Sequence, residues 1–250
     1  MKGGEHLLLS TLSSLAILIP WTGMTSAGLL IVILCGVATG SLAPDADADR
    51  AAILTRPSRA FLYRRVCISP VEFMLPLLGH AIRYTIYYPL SFLSWLLYGK
   101  KYRHQHRGIL HSLPGAIFTS TILTLYLFLC ALLAVSWLQR PVEIPVFIIF
   151  ASLLSGHLMH LLQDSCTIRG VRWMYPLNVM NFRGALRTGD GTLQTGLLSI
   201  SLCTAVALIG SARMYAFVSP WLLTSVSIGL LSMLWGLFLI SCDAGVVAGR

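Results

Sequence analysis

The sequence is poor in charge, and acidic residues are the scarcest: only 9 of its 250 residues are Asp or Glu, and 11% are charged. A soluble domain of this size carries about twice that fraction of charge. The chain is 56% hydrophobic, with a mean hydropathy of +0.77. This balance excludes an ordinary soluble domain and indicates a membrane protein.

Other absences narrow the class further. The six cysteines form no C-x-x-C pair, so a disulfide framework is not expected, and we interpret them as reduced and structural. No small-residue cleavage site follows the first apolar run, which is therefore predicted to be a retained helix. The net charge is +9. In a membrane protein basic residues are normally kept in cytoplasmic loops near anionic lipid, so no nucleic-acid partner is expected.

The apolar residues gather in segments that are suited to cross a bilayer. The predicted fold class is all-α: a polytopic helical membrane protein with about six transmembrane helices, in a single domain over residues 1–250. The segments are Leu7–Trp21, Ala27–Ala43, Leu113–Leu138, Ile144–Leu162, Leu193–Gly210 and Tyr215–Ser241. A further stretch, Val71–Tyr98, is interrupted by prolines and rich in aromatic residues. It suits an interfacial or re-entrant helical segment as well as a spanning helix.

The basic residues decide between these two alternatives. If Val71–Tyr98 does not cross, sixteen of the eighteen Lys and Arg lie on one side, and only Arg140 and Arg213 lie on the other. Crossing would move the cluster at 100–107 and break this asymmetry. The sequence therefore predicts a multi-pass protein of the plasma (inner) membrane with both termini in the cytoplasm.

The same topology places the potential metal ligands at one face of the membrane. These residues are His6, Asp45, Asp47, His106, His111, His160 and Asp164. Imidazoles and carboxylates are costly beside a bilayer, so their concentration at helix ends favours a functional site. His160 and Asp164 are four apart and share a helix face, which suits joint coordination of one ion.

The donor types indicate the metal and its chemistry. Mixed imidazole and carboxylate ligands favour a divalent metal of the Zn²⁺ type over Mg²⁺, which prefers oxygen. Arg107 offers the bidentate donors that bind a substrate phosphate. Structural interpretations remain beside these: Asp45, Asp47 and Asp49 also suit a solvated turn or helix cap, and His157 suits a ligand or a hydrogen-bonding partner of one. His80 and His104 are interpreted as packing residues.

The motifs resemble the YdjM-like family of membrane-bound, metal-dependent hydrolases, and the resemblance covers about the first two-thirds of the chain. The family pattern has Gly-x-His, Pro-Asp-x-Asp-His, His-Arg-Gly-x-Thr-His-Ser and His-x-x-x-Asp elements. Here they read Gly4-Glu5-His6, Pro44-Asp45-Ala46-Asp47-Ala48, His106-Arg107-Gly108-Ile109-Leu110-His111-Ser112 and His160-Leu161-Leu162-Gln163-Asp164. Ala48 replaces a family histidine, so one ligand is lost or replaced by Asp49. Leu110 replaces the threonine.

The resemblance implies a metal-dependent hydrolase, distantly similar to zinc-dependent phospholipase C. We therefore predict a cytoplasm-facing enzyme that cleaves a phosphoester, with a membrane lipid or phospholipid as the expected partner or substrate. Paired ions would activate water, Asp47 or Asp49 would act as general base, and Arg107 would clamp the phosphate. The alternative is a non-enzymatic membrane protein, either a metal-ion transporter or a metal-stabilised scaffold. Ligands at helix ends and the lack of an internal repeat favour catalysis over transport.

Overall fold

The apolar runs form helices. The structure is a computed structural model that describes residues 2–48, 53–54, 70–99, 107–138, 145–178, 180–187, 192–214 and 218–247, with the backbone alone at 70–75 and 138. The helices in these ranges are α1 Gly3–Leu18, α2 Ala27–Leu42, α3 Pro70–Ile82, α4 Tyr88–Tyr98, α5 Leu113–Leu138, α6 Val146–Ser165, α7 Leu193–Met214 and α8 Pro220–Ser241. Short 3₁₀ turns follow α1 and α2 at Ile19–Trp21 and Ala43–Asp47, and another precedes α5 at Ile109–His111.

The protein is an all-α polytopic membrane protein, as the sequence predicts. Within the described residues, five helical segments are long and apolar enough to cross a bilayer: Ala27–Asp47, Leu113–Trp137, Val146–Ser165, Leu193–Met214 and Pro220–Ser241. The remaining predicted segment, Leu7–Trp21, lies in α1, which has 16 residues and continues as the turn Ile19–Trp21. A spanning helix needs about 20 residues, so α1 alone is short for a perpendicular crossing.

Helices α2 and α6 pack most closely, because glycines line their interface. Gly36 and Gly40 on α2 form a G-x-x-x-G pair. A Cβ atom on Gly40 would overlap the Leu153 carbonyl, and one on Gly156 would overlap the Val37 carbonyl. Small residues at such positions allow helix backbones to approach closely in a membrane. The carboxyl-terminal ends of α2 and α6 are thereby held side by side.

The stretch Val71–Tyr98, for which the sequence allowed either an interfacial or a spanning helix, is helical throughout. Helices α3 and α4 are joined by a π-helical turn at Arg83–Tyr87. On one face, Ile82, Ile86 and Leu90 are buried in the cluster that contains Ala43, Ala46 and Leu110. The opposite face, with Tyr84, Tyr88, Phe92 and Trp95, is exposed. An apolar, aromatic outer face is the pattern of a helix in contact with lipid or with the interface.

The polar stretch after α6 contains one strand of a small sheet that the sequence analysis did not predict. Strand β1 (Asn181–Arg183) pairs antiparallel with β2 (Gly245–Val247), with Phe182 opposite Val246. The two strands have only three residues each. They tie the stretch that follows α6 to the chain that follows α8, at the end of the bundle where α6 ends.

Candidate metal centre

Four elements meet at one end of the helix bundle and bring the predicted ligands together. The first turn of α1 carries His6, and the 3₁₀ turn after α2 carries Asp45 and Asp47. The turn before α5 carries His111, and the last turns of α6 carry His160 and Asp164. Their side chains are buried, except that Asp45 remains 19% exposed. Two other predicted site residues, His106 and Asp49, lie outside the described residues.

Two imidazole nitrogens and two carboxylate oxygens face one another at the centre of the cluster. His111 Nε2 lies 3.8 Å from Asp45 Oδ1 and 3.6 Å from Asp164 Oδ2. His160 Nε2 lies 3.7 Å and 3.6 Å from the same two oxygens. These four atoms, the Nε2 atoms of His111 and His160 with Asp45 Oδ1 and Asp164 Oδ2, are called the central quartet below.

The spacing within the central quartet fits a metal ion better than direct hydrogen bonds. A hydrogen bond from an imidazole N–H to a carboxylate is about 2.7–3.2 Å long. Ligands at 2.0–2.2 Å from a tetrahedral zinc are separated by roughly 3.3–3.6 Å, which is near the observed N-to-O distances. His160 Nε2 has no hydrogen-bond partner among the described residues. The donor types and their spacing therefore suit a divalent ion of the zinc type.

The other ring nitrogens of both histidines are directed at protein acceptors. His160 Nδ1 lies 2.7 Å from the Ser41 carbonyl oxygen, at the end of α2. This contact makes Nδ1 the protonated nitrogen and leaves the Nε2 lone pair directed at the quartet. His111 Nδ1 lies 3.4 Å from Asp47 Oδ2. Metal-binding histidines characteristically donate their second N–H to a carbonyl or a carboxylate, which fixes the orientation of the ring.

Asp47 therefore lies outside the quartet, although the sequence analysis grouped it with the ligands. Its Oδ2 also accepts a hydrogen bond of 3.0 Å from the backbone N–H of Arg107. Arg107 has a left-handed φ of 64°, which is uncommon for a residue other than glycine. This backbone conformation directs the Arg107 N–H at Asp47, and the chain then continues into the turn that carries His111. Asp47 thus joins the end of α2 to that turn.

The guanidinium of Arg107 is occupied by protein acceptors. Its Nη2 donates to Asp164 Oδ1 at 2.7 Å, and its Nη1 donates to Thr167 Oγ1 at 2.7 Å. A longer Nη1 contact of 3.4 Å reaches the Gly170 carbonyl. The side chain is 11% exposed. Arg107 therefore holds the buried Asp164 carboxylate in place, and its predicted contact with a phosphate stays a prediction.

His6 adds a third imidazole beside the quartet. Its ring stacks on His160, with centroids 3.9 Å apart, and its Nε2 lies 3.5 Å from Asp164 Oδ1. His6, His160 and Asp164 form one three-ligand group, and Asp45, His111 and His160 form another, each with ligand atoms within 4.8 Å of one another. Because both groups include His160, the arrangement suits one ion or two adjacent ions.

The electrostatics of the site favour a cation. Burial alone lowers the pKa of His111, but the nearby carboxylates of Asp47, Asp45 and Asp164 raise it to about 10. Buried negative charge of this density is stabilised by a proton or by a metal. A bound divalent ion would replace that proton at neutral pH, since metal ligands must be deprotonated.

Further residues contact the elements that carry the site. His157, which the sequence analysis interprets as a ligand or a hydrogen-bonding partner of one, donates from Nε2 to the Leu110 carbonyl at 2.7 Å, in the turn beside His111. Arg83, in the π-helical turn, donates to the Asp47 carbonyl at 3.3 Å. Gln163 donates to Ser10 Oγ at 3.0 Å. The sequence analysis named His157, and Gln163 lies inside the His-x-x-x-Asp element, whereas Arg83 carried no signal for this contact.

The fold and the cluster define the class: a multi-helix membrane protein with a buried His/Asp cluster at one end of its bundle. More specifically, the chain belongs to the YdjM inner membrane protein family, whose model matches residues 1–239. No curated protein and no solved structure matches the chain. The family match extends beyond the predicted motifs into α7 and α8.

Proposed function

We propose that the protein is a membrane-embedded, metal-dependent hydrolase that cleaves a phosphoester. The observation that carries this proposal is the central quartet, in which two oriented imidazoles face two carboxylates at 3.6–3.8 Å. Such a donor set suits Zn²⁺, and His6 could serve as a ligand of a second metal ion beside it. When bound, zinc would lower the pKa of a coordinated water toward 7 and polarise a phosphoryl oxygen.

The residues of the chain would hold the metal and leave one side of the site accessible to water and substrate. His111, His160 and Asp164 are the buried ligands, and Asp45 is the partly exposed one at the side where water and substrate would enter. Arg107 would keep Asp164 ionised and oriented for the metal. Asp47 would orient His111, so a general base would come from Asp49, outside the described residues, or from Asp47 after it leaves His111. The proposal that the substrate is a phosphoester rests on the family resemblance and on the position of the site at helix ends near the membrane surface.

The proposal includes an orientation in the membrane. We propose a multi-pass protein of the plasma (inner) membrane with both termini and the His/Asp cluster on the cytoplasmic side. The support is the asymmetry of Lys and Arg, since basic residues are retained in cytoplasmic loops. At this depth the site would meet phosphate-bearing head groups, as well as soluble phosphoesters from the cytoplasm.

The first test is the metal content of purified protein, followed by turnover of phosphodiesters and phospholipids. The wild type should carry zinc and hydrolyse at least one phosphoester. His160→Ala should lose both properties, because it removes a ligand shared by both three-ligand groups. His80→Ala is the matched control: His80 is exposed, its Nδ1 contacts the Pro76 carbonyl of its own helix, and its loss should change neither. A metal-free wild-type protein would refute the proposal.

A metal-stabilised scaffold is the second candidate, and one observation favours it. The central quartet alone would supply four protein ligands, the number found in structural zinc sites, whereas catalytic sites keep a position open. A scaffold predicts full metal occupancy, a loss of stability in His160→Ala and no turnover by any form. Hydrolysis that is abolished in His160→Ala but normal in His80→Ala would exclude it.

A further inference from the structure

A cavity of about 430 Å³ lies within the helix bundle, separate from the His/Asp cluster. Four helices line it: α1, α2, α6 and α8. Val37, Leu231 and Trp235 form part of its buried wall, and Leu162 lies on the side nearest the cluster. Apart from four serines the lining residues are apolar, and the indole N–H of Trp235 donates to one of these serines, Ser13. Its volume falls within the range of sites that hold a drug-sized apolar molecule.

The cavity lies directly on the membrane side of the metal centre. Along α1, Ser13 is seven residues after His6, which corresponds to about 10 Å of helix. Along α6, Leu162 is two residues before Asp164, or about 3 Å. The buried pair formed by Ser10 and Gln163 lies between the two sites. The cavity therefore begins about half a helical turn deeper in the bilayer than the cluster along α6, and about two turns deeper along α1.

The cavity opens toward lipid. Its rim includes Ile17, Ser155, Ile228 and Ser232, which are exposed side chains on membrane helices. These residues continue into the apolar outer surface of the bundle, which must contact acyl chains in a bilayer. A hydrocarbon chain could enter sideways between α6 and α8 without leaving an apolar environment.

We propose that this cavity receives one hydrocarbon chain of a phosphate-bearing membrane lipid whose head group lies at the metal centre. The inference rests on the proposed hydrolase function and specifies its substrate class. The arrangement along the membrane normal matches such a lipid, with a polar reacting group at the His/Asp cluster and an apolar chain that begins about half a turn to two helical turns deeper. The buried Gln163 Oε1, which has no hydrogen-bond partner among the described residues, lies along the path between them.

The cavity would act by positioning rather than by hydrophobic affinity. A lipid chain gains little by moving from the bilayer into an apolar cavity, because lipid tails are as apolar as leucine. Holding the chain would instead fix the head group relative to the metal centre, and misplacement by about 1 Å can cost roughly 10²-fold in rate. The expected effect of the cavity is therefore on kcat/KM for long-chain substrates and not on short soluble diesters.

The test uses the full chain in phosphatidylcholine and phosphatidylglycerol vesicles that contain a trace of phosphatidylglycerol with a diazirine in one acyl chain. After illumination, cross-linked residues are mapped by mass spectrometry. Label is expected on the buried wall at Val37, Leu231 or Trp235, which lipid at the outer surface cannot reach. Ser155→Phe and Ser232→Phe fill the cavity from its rim and should abolish this label.

Two variants match the cavity-filling ones in size and helix. Ala151→Phe on α6 and Ser225→Phe on α8 add the same side chain at exposed positions outside the cavity and should leave the buried label unchanged. The filled variants should also lose ~10–100-fold in kcat/KM on long-chain phospholipid while retaining metal and turnover of a short-chain diester.

The outcomes separate this inference from the proposed function. Lack of label on the buried wall, or equal label in the filled and control variants, would overturn the lipid-chain site even if the protein hydrolyses a short diester. Label that the filled variants lose, in a protein that turns over no phosphoester, would refute the hydrolase while leaving the lipid-chain site standing. Loss of both label and long-chain turnover in the filled variants alone would support the whole proposal.

Discussion

Single residues of the site divide into those that face the candidate metal position and those that orient these candidate ligands. The carboxylate of Asp47 and the carbonyl of Ser41 each hold the Nδ1 side of one histidine, so that both Nε2 atoms face the quartet. These groups are buried, so removing one of their partners costs free energy. A buried polar group without a partner has lost its hydration and gained no hydrogen bond in return. Orienting residues should therefore affect metal affinity nearly as strongly as ligands do.

Asp47→Asn tests the orienting role. The amide keeps the shape of the side chain but removes the charge that favours the metal-binding form of His111. We expect a loss of about 10–100-fold in zinc affinity, measured by competition with a chelator, without loss of the fold. Asp243→Asn is the control for the same change of side chain, since Asn tolerates the left-handed φ of 50° at Asp243 and this residue lies outside the candidate metal centre. Equal affinities in both variants would contradict the assignment.

Arg107→Ala separates two functions of the guanidinium. Its loss would leave the buried Asp164 carboxylate without its 2.7 Å partner, so zinc affinity should fall. Arg107→Lys should recover part of it, because lysine restores the charge but not the fork that contacts Asp164 and Thr167 together. Metal content and turnover are measured for both, with Arg213→Ala as the arginine control, since Arg213 contacts Thr22 away from the cluster. Full metal occupancy with lost turnover would instead support the phosphate clamp.

At the level of helices, the contact between α2 and α6 determines whether the ligands meet. The turn that carries Asp45 follows α2, and His160 and Asp164 lie at the end of α6. The two helix ends can approach only as closely as their backbones allow, and glycine at positions 36, 40 and 156 removes the side chains that would separate them. The distances between the ligands therefore depend on how closely α2 and α6 pack.

Gly40→Ala and Gly156→Ala should each push the two helices apart. Each new methyl group would overlap a backbone carbonyl of the facing helix, and backbone yields less readily than a side chain. We expect destabilisation by about 1–3 kcal/mol in detergent unfolding, together with weaker zinc binding. Gly229→Ala on α8 is the control: its added Cβ would meet nothing within 4 Å, so it should be neutral or slightly stabilising. Equal effects of the substitutions at Gly40, Gly156 and Gly229 would show that helix propensity alone is responsible.

The sequence predicts features that depend on neighbouring residues, and it does not predict contacts between distant parts of the chain. Helices α2 and α5 to α8 follow from apolar runs, because spanning length is a local property of the chain. The His160–Asp164 pair follows from helix spacing, and one-sided clustering follows from counting Lys and Arg. The contacts of Asp47 with His111 and of Arg107 with Asp164 could not be foreseen, since each joins parts of the chain about 60 residues apart. The pairing of β1 with β2 is likewise non-local.

At the scale of the whole molecule, the site constrains how the chain passes through the membrane. Ala43–Asp47 and Ile109–His111 meet at the same end of the bundle, so the chain between them makes no net crossing. The helical stretch from α3 to α4 touches this end through Arg83 and buries Ile86 there. A single crossing by this stretch would need a second crossing within 48–69 or 99–108, which are basic and polar stretches that are costly to insert.

Labelling of single cysteines in a cysteine-free background tests this topology. Lys101→Cys and Leu177→Cys should react with a membrane-impermeant maleimide only in inverted vesicles, because the excess of Lys and Arg predicts that both lie in the cytoplasm. Met24→Cys and Trp137→Cys, exposed at the opposite end of the bundle, should react only in intact cells. Reaction of Lys101→Cys from outside the cell, with Leu177→Cys still protected, would mean that the α3–α4 stretch spans. The convergence of His111 with His160 and Asp164 would then be lost, and with it the metal centre.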